Sequence, residues 1–236
     1  MRDSETINTV CAVAGSMSVR STEWKGVYVD GPWLLTRNLV PGAAVYGESL
    51  VRGSDGEFRR WDANRSKLAA YLKRGGRVWP FRLRSSVLYL GAGSGTTASH
   101  VSDICADGTV TAVEISPRSF RDLLTLAEKR PNLVPILGDA AKPESYAGQT
   151  GSVDVVYQDV AQRDQEAIFL RNLELVRSGG TGFLMVKARS ADVSAAPAKV
   201  FESTKRGMAE AGIEVIDFRN LEPFQADHGA LVVRKP

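Results

Sequence analysis

The residues with the most chemistry to offer stand at the ends of apolar runs. Gly91 closes VLYL, Glu114 closes TVTAV, Asp139 follows LVPILG, Asp159 follows VDVVYQ and Lys187 closes FLMV. Each run reads as a buried strand, and in a doubly wound sheet the carboxyl ends of the strands form the ligand edge. A carboxylate there accepts from hydroxyl groups, an ammonium steers an oxygen, and a glycine turn admits a nucleoside-like ligand close to the backbone. Taken singly, an acidic residue after a strand is an ordinary cap or turn former. Recurrence at one edge is what makes a site. Lys187 closes a run that should be buried, so its ammonium needs a carboxylate or cleft solvent, and Asp159 is its expected partner. Lys67, taken by itself, reads as an exposed helix lysine.

The element that positions this edge is Ser86 to Glu114, SVLYLGAGSGTTASHVSDICADGTVTAVE. It reads as strand, tight turn, helix and parallel strand. Glycines fall at 91, 93 and 95, whereas a nicotinamide-binding fingerprint wants its third glycine one residue later, where Thr96 stands. Thr96 and Thr97 instead offer hydroxyls and helix amides to a compact ligand, including its carboxylate. GxGxG followed by an acidic strand end leans towards S-adenosylmethionine and away from a dehydrogenase.

Around this unit the chain alternates. Ser116 and Pro117 open a helix, SFRDLLTLAEKR, and strands are expected to end at Asp139 and Asp159. A helix over about 163–176 leads through Gly179-Gly180 into TGFLMVKA, and a helix over about 197–210 precedes IEVIDFRNL and GALVVRK. The expected fold is α/β, a parallel sheet with helices on both faces and an antiparallel finish. Ahead of it, short β-branched and aromatic runs between turn residues predict a small antiparallel β subdomain over 20–58, with 1–19 a flexible lead-in and 59–236 the main domain. A helix over 65–73 ends at Gly75-Gly76.

With 43% hydrophobic and 24% charged residues the composition is that of a soluble protein, and no run approaches the roughly 20 apolar residues of a membrane span. The patch Val10 to Gly15 follows acidic rather than basic residues, so a cytoplasmic home is expected. Cys11 and Cys105 have neither metal-ligand nor disulfide spacing, and no metal site is expected. The net charge of +3 is too small to name a polyanionic partner. Arg52, Arg59, Arg60, Arg65, Lys67, Lys73, Arg74, Arg77, Arg82 and Arg84, interleaved with Phe58, Trp61 and Trp79, suit phosphate contacts as well as they suit solvated faces over a core.

WDANRSKLAA, VLYLGAGSGTTASHVSDI, VTAVEISPR, ILGDA, DVVYQDVAQRDQ, MVKARS and ADHGALVV resemble, in order, the signature blocks of the fibrillarin family, and NLVPGAAVYGE fits too. The resemblance implies a class I S-adenosylmethionine-dependent methyltransferase with a Rossmann-like seven-stranded sheet, acting on RNA ribose 2'-hydroxyls. It implies ribosomal RNA and transfer RNA as targets, chosen by a box C/D guide RNA, with a Nop-domain scaffold protein and a kink-turn-binding, ribosomal-protein-like subunit as partners. Carried over residue by residue, the cofactor positions are Gly91, Gly93, Thr96, Thr97, Glu114, Ile115, Asp139, Ala140, Asp159, Val160, Ala161 and Gln162. The catalytic set is Lys67, Asp159, Lys187 and His228, of which Lys67 and His228 rest on the resemblance alone. Gly229 departs from the relatives' usual Asp-His-Ala setting, which bears on where His228 sits. A non-catalytic RNA-binding assembly subunit with the same fold is the competing reading.

Overall fold

A computed structural model of the chain describes residues 19–191 and 195–236. The expected lead-in up to residue 18, Cys11 included, lies outside the described residues. Five short strands come first: β1 (Arg20–Ser21), β2 (Val27–Asp30), β3 (Trp33–Arg37), β4 (Leu50–Gly53) and β5 (Gly56–Trp61), paired antiparallel in the order β1-β2-β3-β5-β4. After α1 (Lys67–Lys73) the main sheet alternates with helices: β6 (Ser86–Leu90), α2 (Thr96–Ile104), β7 (Thr109–Glu114), α3 (Pro117–Ala127), β8 (Leu133–Leu137), the single turn α4 (Ala147–Thr150) and β9 (Val153–Gln158). The chain closes with α5 (Gln165–Leu173), β10 (Val176–Lys187), the short α6 (Ala188–Ala191), α7 (Pro197–Glu210), β11 (Glu214–Asn220) and β12 (His228–Arg234).

The seven-stranded order is β11-β12-β10-β9-β6-β7-β8. The run from β8 to β10 is parallel, while β12 and β11 turn back antiparallel, as the two closing apolar runs predict. Strand periodicity explains why both faces are covered, because successive side chains point to opposite sides. Val87 and Tyr89 of β6, Val155 and Tyr157 of β9, and Phe183 and Met185 of β10 enter one core with α1, α2 and the small sheet's Val27, Leu34 and Trp61. Leu88, Val156 and Leu184 enter the other with Phe169 of α5 and Met208 of α7.

The boundary before β10 differs from the sequence reading. The residues around Gly179 and Gly180 do not separate a helix from a strand: β10 starts earlier, at Val176 opposite Val153, and the glycines form an irregularity within it before pairing resumes at Thr181 opposite Val155. Gly179 has φ +73°, the left-handed region, which lets the strand bulge and continue. No helix among the described residues is long and apolar enough to cross a membrane.

Candidate functional site

The glycine turn folds back onto its own sheet. Gly91 N and Ala92 N donate to the carbonyl of Val113 at the end of β7, and Asp159 N donates to Leu90 O at 2.9 Å. Gly91 has φ +76°, and a Cβ built there falls 2.4 Å from Asp159 O, so only glycine lets the turn lie against the end of β9. The Glu114 carboxylate then pins the turn from the other side. Its Oε2 accepts from Gly93 N and its Oε1 from Ser116 N, both at 2.7 Å, joining the turn to the start of α3, whose N-cap is Ser116.

These contacts frame a cleft of about 400 Å³ at the carboxyl edge of the sheet. Gly91, Gly93, Glu114, Ile115, Ala140, Asp159, Val160, Ala161 and Gln162 line it, so the nominated positions at the ends of β6, β7 and β9 meet around one space. Val113 and Gly138 line it too and escaped the sequence reading; both are immediate neighbours of nominated strand-end residues. Thr96, Thr97 and Asp139 do not line it. Thr97 Oγ1 donates to Ser66 Oγ at 3.0 Å, tying α2 to the N-cap of α1, and Asp139 Oδ1 accepts from Ala141 N and Gln162 Nε2. Thr96 faces a different cavity of about 490 Å³ between the loop 40–46 and α3, away from the strand ends. Despite its greater volume, that cavity lacks the strand-end carboxylates. The cleft itself offers an apolar slot, with Ile115 56% exposed, beside a strand-end carboxylate. That combination suits a purine ring and its ribose.

At the mouth of this cleft stands a cluster drawn from far apart in sequence. Lys67 is the first residue of α1, and its Nζ lies 2.8 Å from both oxygens of Asp159. The side chains are 18% and 21% exposed, so the pair is half sheltered and still reachable. This corrects two expectations at once: Lys67 is not a free surface lysine, and the partner of Asp159 is not Lys187. The β9–β10 register gives the reason. Leu184 pairs with Gln158, so Met185 is level with Asp159 and Lys187 lies two residues further along, about 6–7 Å. Among the described residues no carboxylate lies within 4.0 Å of the Lys187 ammonium.

On its other side Lys187 pairs with His228, the first residue of β12. Gly229 packs under the Phe218 and Phe201 rings, where a Cβ would fall 2.9 and 3.0 Å from ring carbons. This glycine therefore seats β12 tightly beside His228. His228 Nδ1 is 2.6 Å from Ala226 O, and since a carbonyl only accepts, Nδ1 carries the proton and Nε2 keeps its lone pair. Burial first, then the Lys67 ammonium, hold the His228 pKa below the ordinary imidazole value, with Lys187 pushing the same way and Asp159 opposing. The imidazole is thus a neutral group in the field of the other three.

The basic stretch divides by position. Arg59 is fully buried, with Nε 2.6 Å from Glu48 and Nη1 2.8 Å from Asp103, and Phe58 and Trp61 are core residues. Arg77 is exposed and faces Asp217. Only part of the stretch is therefore available to a polyanion. Cys105 is buried, which pushes its thiol up to about 12 and leaves it unreactive.

Comparison with known proteins adds sequence and fold to this geometry. The family described as Fibrillarin matches residues 19–236. The fibrillarin-like rRNA/tRNA 2'-O-methyltransferase of Thermococcus onnurineus is 46% identical over 227 residues, 93% of this chain and 100% of that protein. Among solved structures, Aeropyrum pernix fibrillarin, crystallised with natively bound S-adenosyl-L-methionine, superposes with a TM-score of 0.84 at 43% identity, covering 92% of this chain and 97% of its own. A chain of a fibrillarin/Nop5p complex superposes with a TM-score of 0.85 at 38% identity, covering 92% of this chain and 100% of its own.

Proposed function

The chain belongs to the fibrillarin family, and from that premise we propose that it is an S-adenosylmethionine-dependent RNA ribose 2'-O-methyltransferase, the catalytic subunit of a box C/D guide RNA particle. Its targets are ribosomal and transfer RNA, the substrates in the name of its Thermococcus relative. A Nop-domain scaffold, the kind of partner named in the Nop5p complex, and a kink-turn-binding protein complete the particle. The guide RNA chooses the nucleotide by base pairing.

The observation that carries this reading is the double use of Asp159. It lines the cleft and also holds Lys67, so the cofactor space and the charged cluster meet at one residue. The residues present fit S-adenosylmethionine. Each Glu114 oxygen is engaged by one backbone amide and retains a lone pair for a ribose hydroxyl, Ile115 and Val160 flank the slot, and the volume is that of a small-molecule site. When bound, the cofactor supplies a sulfonium methyl group open to in-line attack.

The protein's own part is alignment and charge. Lys67, fixed by both Asp159 oxygens, holds the nucleotide at the cleft mouth. Lys187 steers the 2'-oxygen and offsets the negative charge that grows on it as its proton leaves. His228 presents Nε2 as the lone pair that receives the hydroxyl proton. Such two-reactant alignment contributes several kcal/mol in comparable reactions, on the order of 7–11 at the most favourable. The test is methyl transfer by Lys67→Met, Asp159→Asn and Lys187→Met in a reconstituted particle, beside calorimetric titration with S-adenosylmethionine. Each variant should fold and lose guided methylation, and the two lysine variants should keep cofactor binding. Full activity in Lys187→Met would refute its role, and a wild-type protein that does not bind the cofactor would return the chain to a non-catalytic assembly role.

A further inference from the structure

Gln165, the first residue of α5, is 3% exposed and belongs to none of the groups assigned above. Its side chain nevertheless makes two bonds to one residue. Lys187 N donates to Gln165 Oε1 at 2.9 Å, and Gln165 Nε2 donates to Lys187 O at 3.1 Å. Its main-chain carbonyl accepts from Nε2 of Gln158 at 2.7 Å, and Gln158, itself fully buried, is the last residue of β9 and the neighbour of Asp159. One side chain and its own carbonyl therefore join the two strand ends that bear Asp159 and Lys187.

The sheet itself does not do this. Pairing between β9 and β10 stops at Leu184 opposite Gln158, and Lys187 lies three residues beyond. On that side its N–H and C=O have lost a strand neighbour, while on the other side pairing persists, with Lys187 opposite His228 of β12 and Ala188 N donating to Asp227 O just before it. The Gln165 amide offers one acceptor and one donor in the arrangement a further strand residue would offer. No carboxylate does both when ionised, and no apolar side chain does either.

We propose that Gln165 is the positioning residue of Lys187, prolonging β10 by one side-chain pair so that the lysine leaves the sheet at a fixed point. The proposal rests on the reading that Lys187 acts on the ribose 2'-oxygen. A lysine at a frayed strand end would wander, and a misplacement of about 1 Å costs on the order of 100-fold in rate. Gln165→Met keeps the length of the side chain and removes both bonds. Gln165→Glu keeps its shape, lacks the donor when ionised, and regains it when protonated.

The experiment is single-turnover methylation by the reconstituted particle across pH, with cofactor affinity and particle assembly measured in parallel. Gln165→Met should be slowed about 10- to 100-fold, with cofactor affinity and assembly unchanged. Gln165→Glu should be slow at neutral pH and recover, relative to the wild-type protein at the same pH, as the pH falls. In a Lys187→Met background, Gln165→Met should add no further loss, because residues acting as one unit are not additive. Wild-type rate in Lys187→Met would overturn the reading of that lysine. If Lys187→Met is slow while Gln165→Met runs at the wild-type rate, or if the glutamine substitution slows both backgrounds equally, the clamp is refuted and the reading of Lys187 stands. Should Gln165→Met fail to fold, Gln165→Glu decides: a rate ratio to wild type that does not rise as the pH falls overturns the proposal.

Discussion

Asp103→Asn is predicted to be among the most damaging single-atom changes outside the cleft. Asp103 lies on α2, and its oxygens accept from Arg59 Nη1 at 2.8 Å, Arg130 Nη1 at 2.6 Å, Thr36 Oγ1 at 2.8 Å and Leu39 N at 3.0 Å. With Glu48, whose Oε1 is 2.6 Å from Arg59 Nε, two buried guanidinium groups face two buried carboxylates. Asparagine leaves two cations against one anion and turns an amide donor towards donors. Removing one partner of a buried charge network costs about 3–5 kcal/mol, out of a total stability on the order of 5–15 kcal/mol. For a chain of this size each kcal/mol moves the midpoint by about 2–4 °C, so Tm should fall by about 6–20 °C. Calorimetry and urea unfolding read the loss. Because the network joins β3, β5 and the loop before β4 to α2, the small sheet should loosen first, while cofactor affinity measured well below Tm should stay near wild type. A loss under about 1 kcal/mol would refute the claim that these charges depend on one another.

The remaining predictions concern the turn, the cofactor and pH. Gly91→Ala forces a left-handed alanine, about 1–2 kcal/mol, and overpacks Asp159 O, about 1–3 kcal/mol, so denaturant unfolding should show a loss of about 2–5 kcal/mol and methylation should fall with it. Glu114→Ala should weaken cofactor binding about 10- to 100-fold by calorimetry, since hydrogen bonds to a charged group contribute about 1.5–3 kcal/mol. Burial holds His100 neutral well below the ordinary imidazole value. Its Nδ1 donates to Thr36 Oγ1, which donates to Asp103, and its Nε2 lies 2.8 Å from Tyr46 Oη, whose hydroxyl also reaches Arg60 O. Below about pH 6.5 the unfolded chain binds a proton that folded His100 refuses, so stability is full above that pH and falls as acid is added down to the folded value. His100→Gln should flatten this acid slope in urea midpoints. Methylation should follow the same direction through His228, flat above its lowered pKa and falling below it, and His228→Gln should abolish that dependence.

What was legible in the sequence was whatever a short window encodes. Short apolar runs closed by a polar residue mark the strands, and the displaced third glycine at Gly95 separates this turn from a nicotinamide fold. The Ser116-Pro117 start of α3 was local too. Pairing between distant elements was not. Lys67 and Asp159 are brought together only by how α1 packs across the sheet, and the offset of Lys187 follows from a β9–β10 register that no periodicity reveals. Arg59 read equally well as a phosphate contact or a solvated residue, because charge ordinarily means surface, yet it is buried and its two carboxylate partners come from a loop and from α2. Gln165 carries no chemical signal of its own, since its role exists only where a strand ends one neighbour short.

The central claim is that Asp159 joins a cofactor cleft to a ribose-directed cluster. The most direct measurement is transfer of labelled methyl from S-adenosylmethionine in particles reconstituted with and without guide RNA and scaffold protein, followed by mapping of the modified atom. Label is expected on the 2'-oxygen of the guide-selected nucleotide, lost in Asp159→Asn and Lys187→Met. Label on a base, or undiminished transfer by both variants, would contradict it.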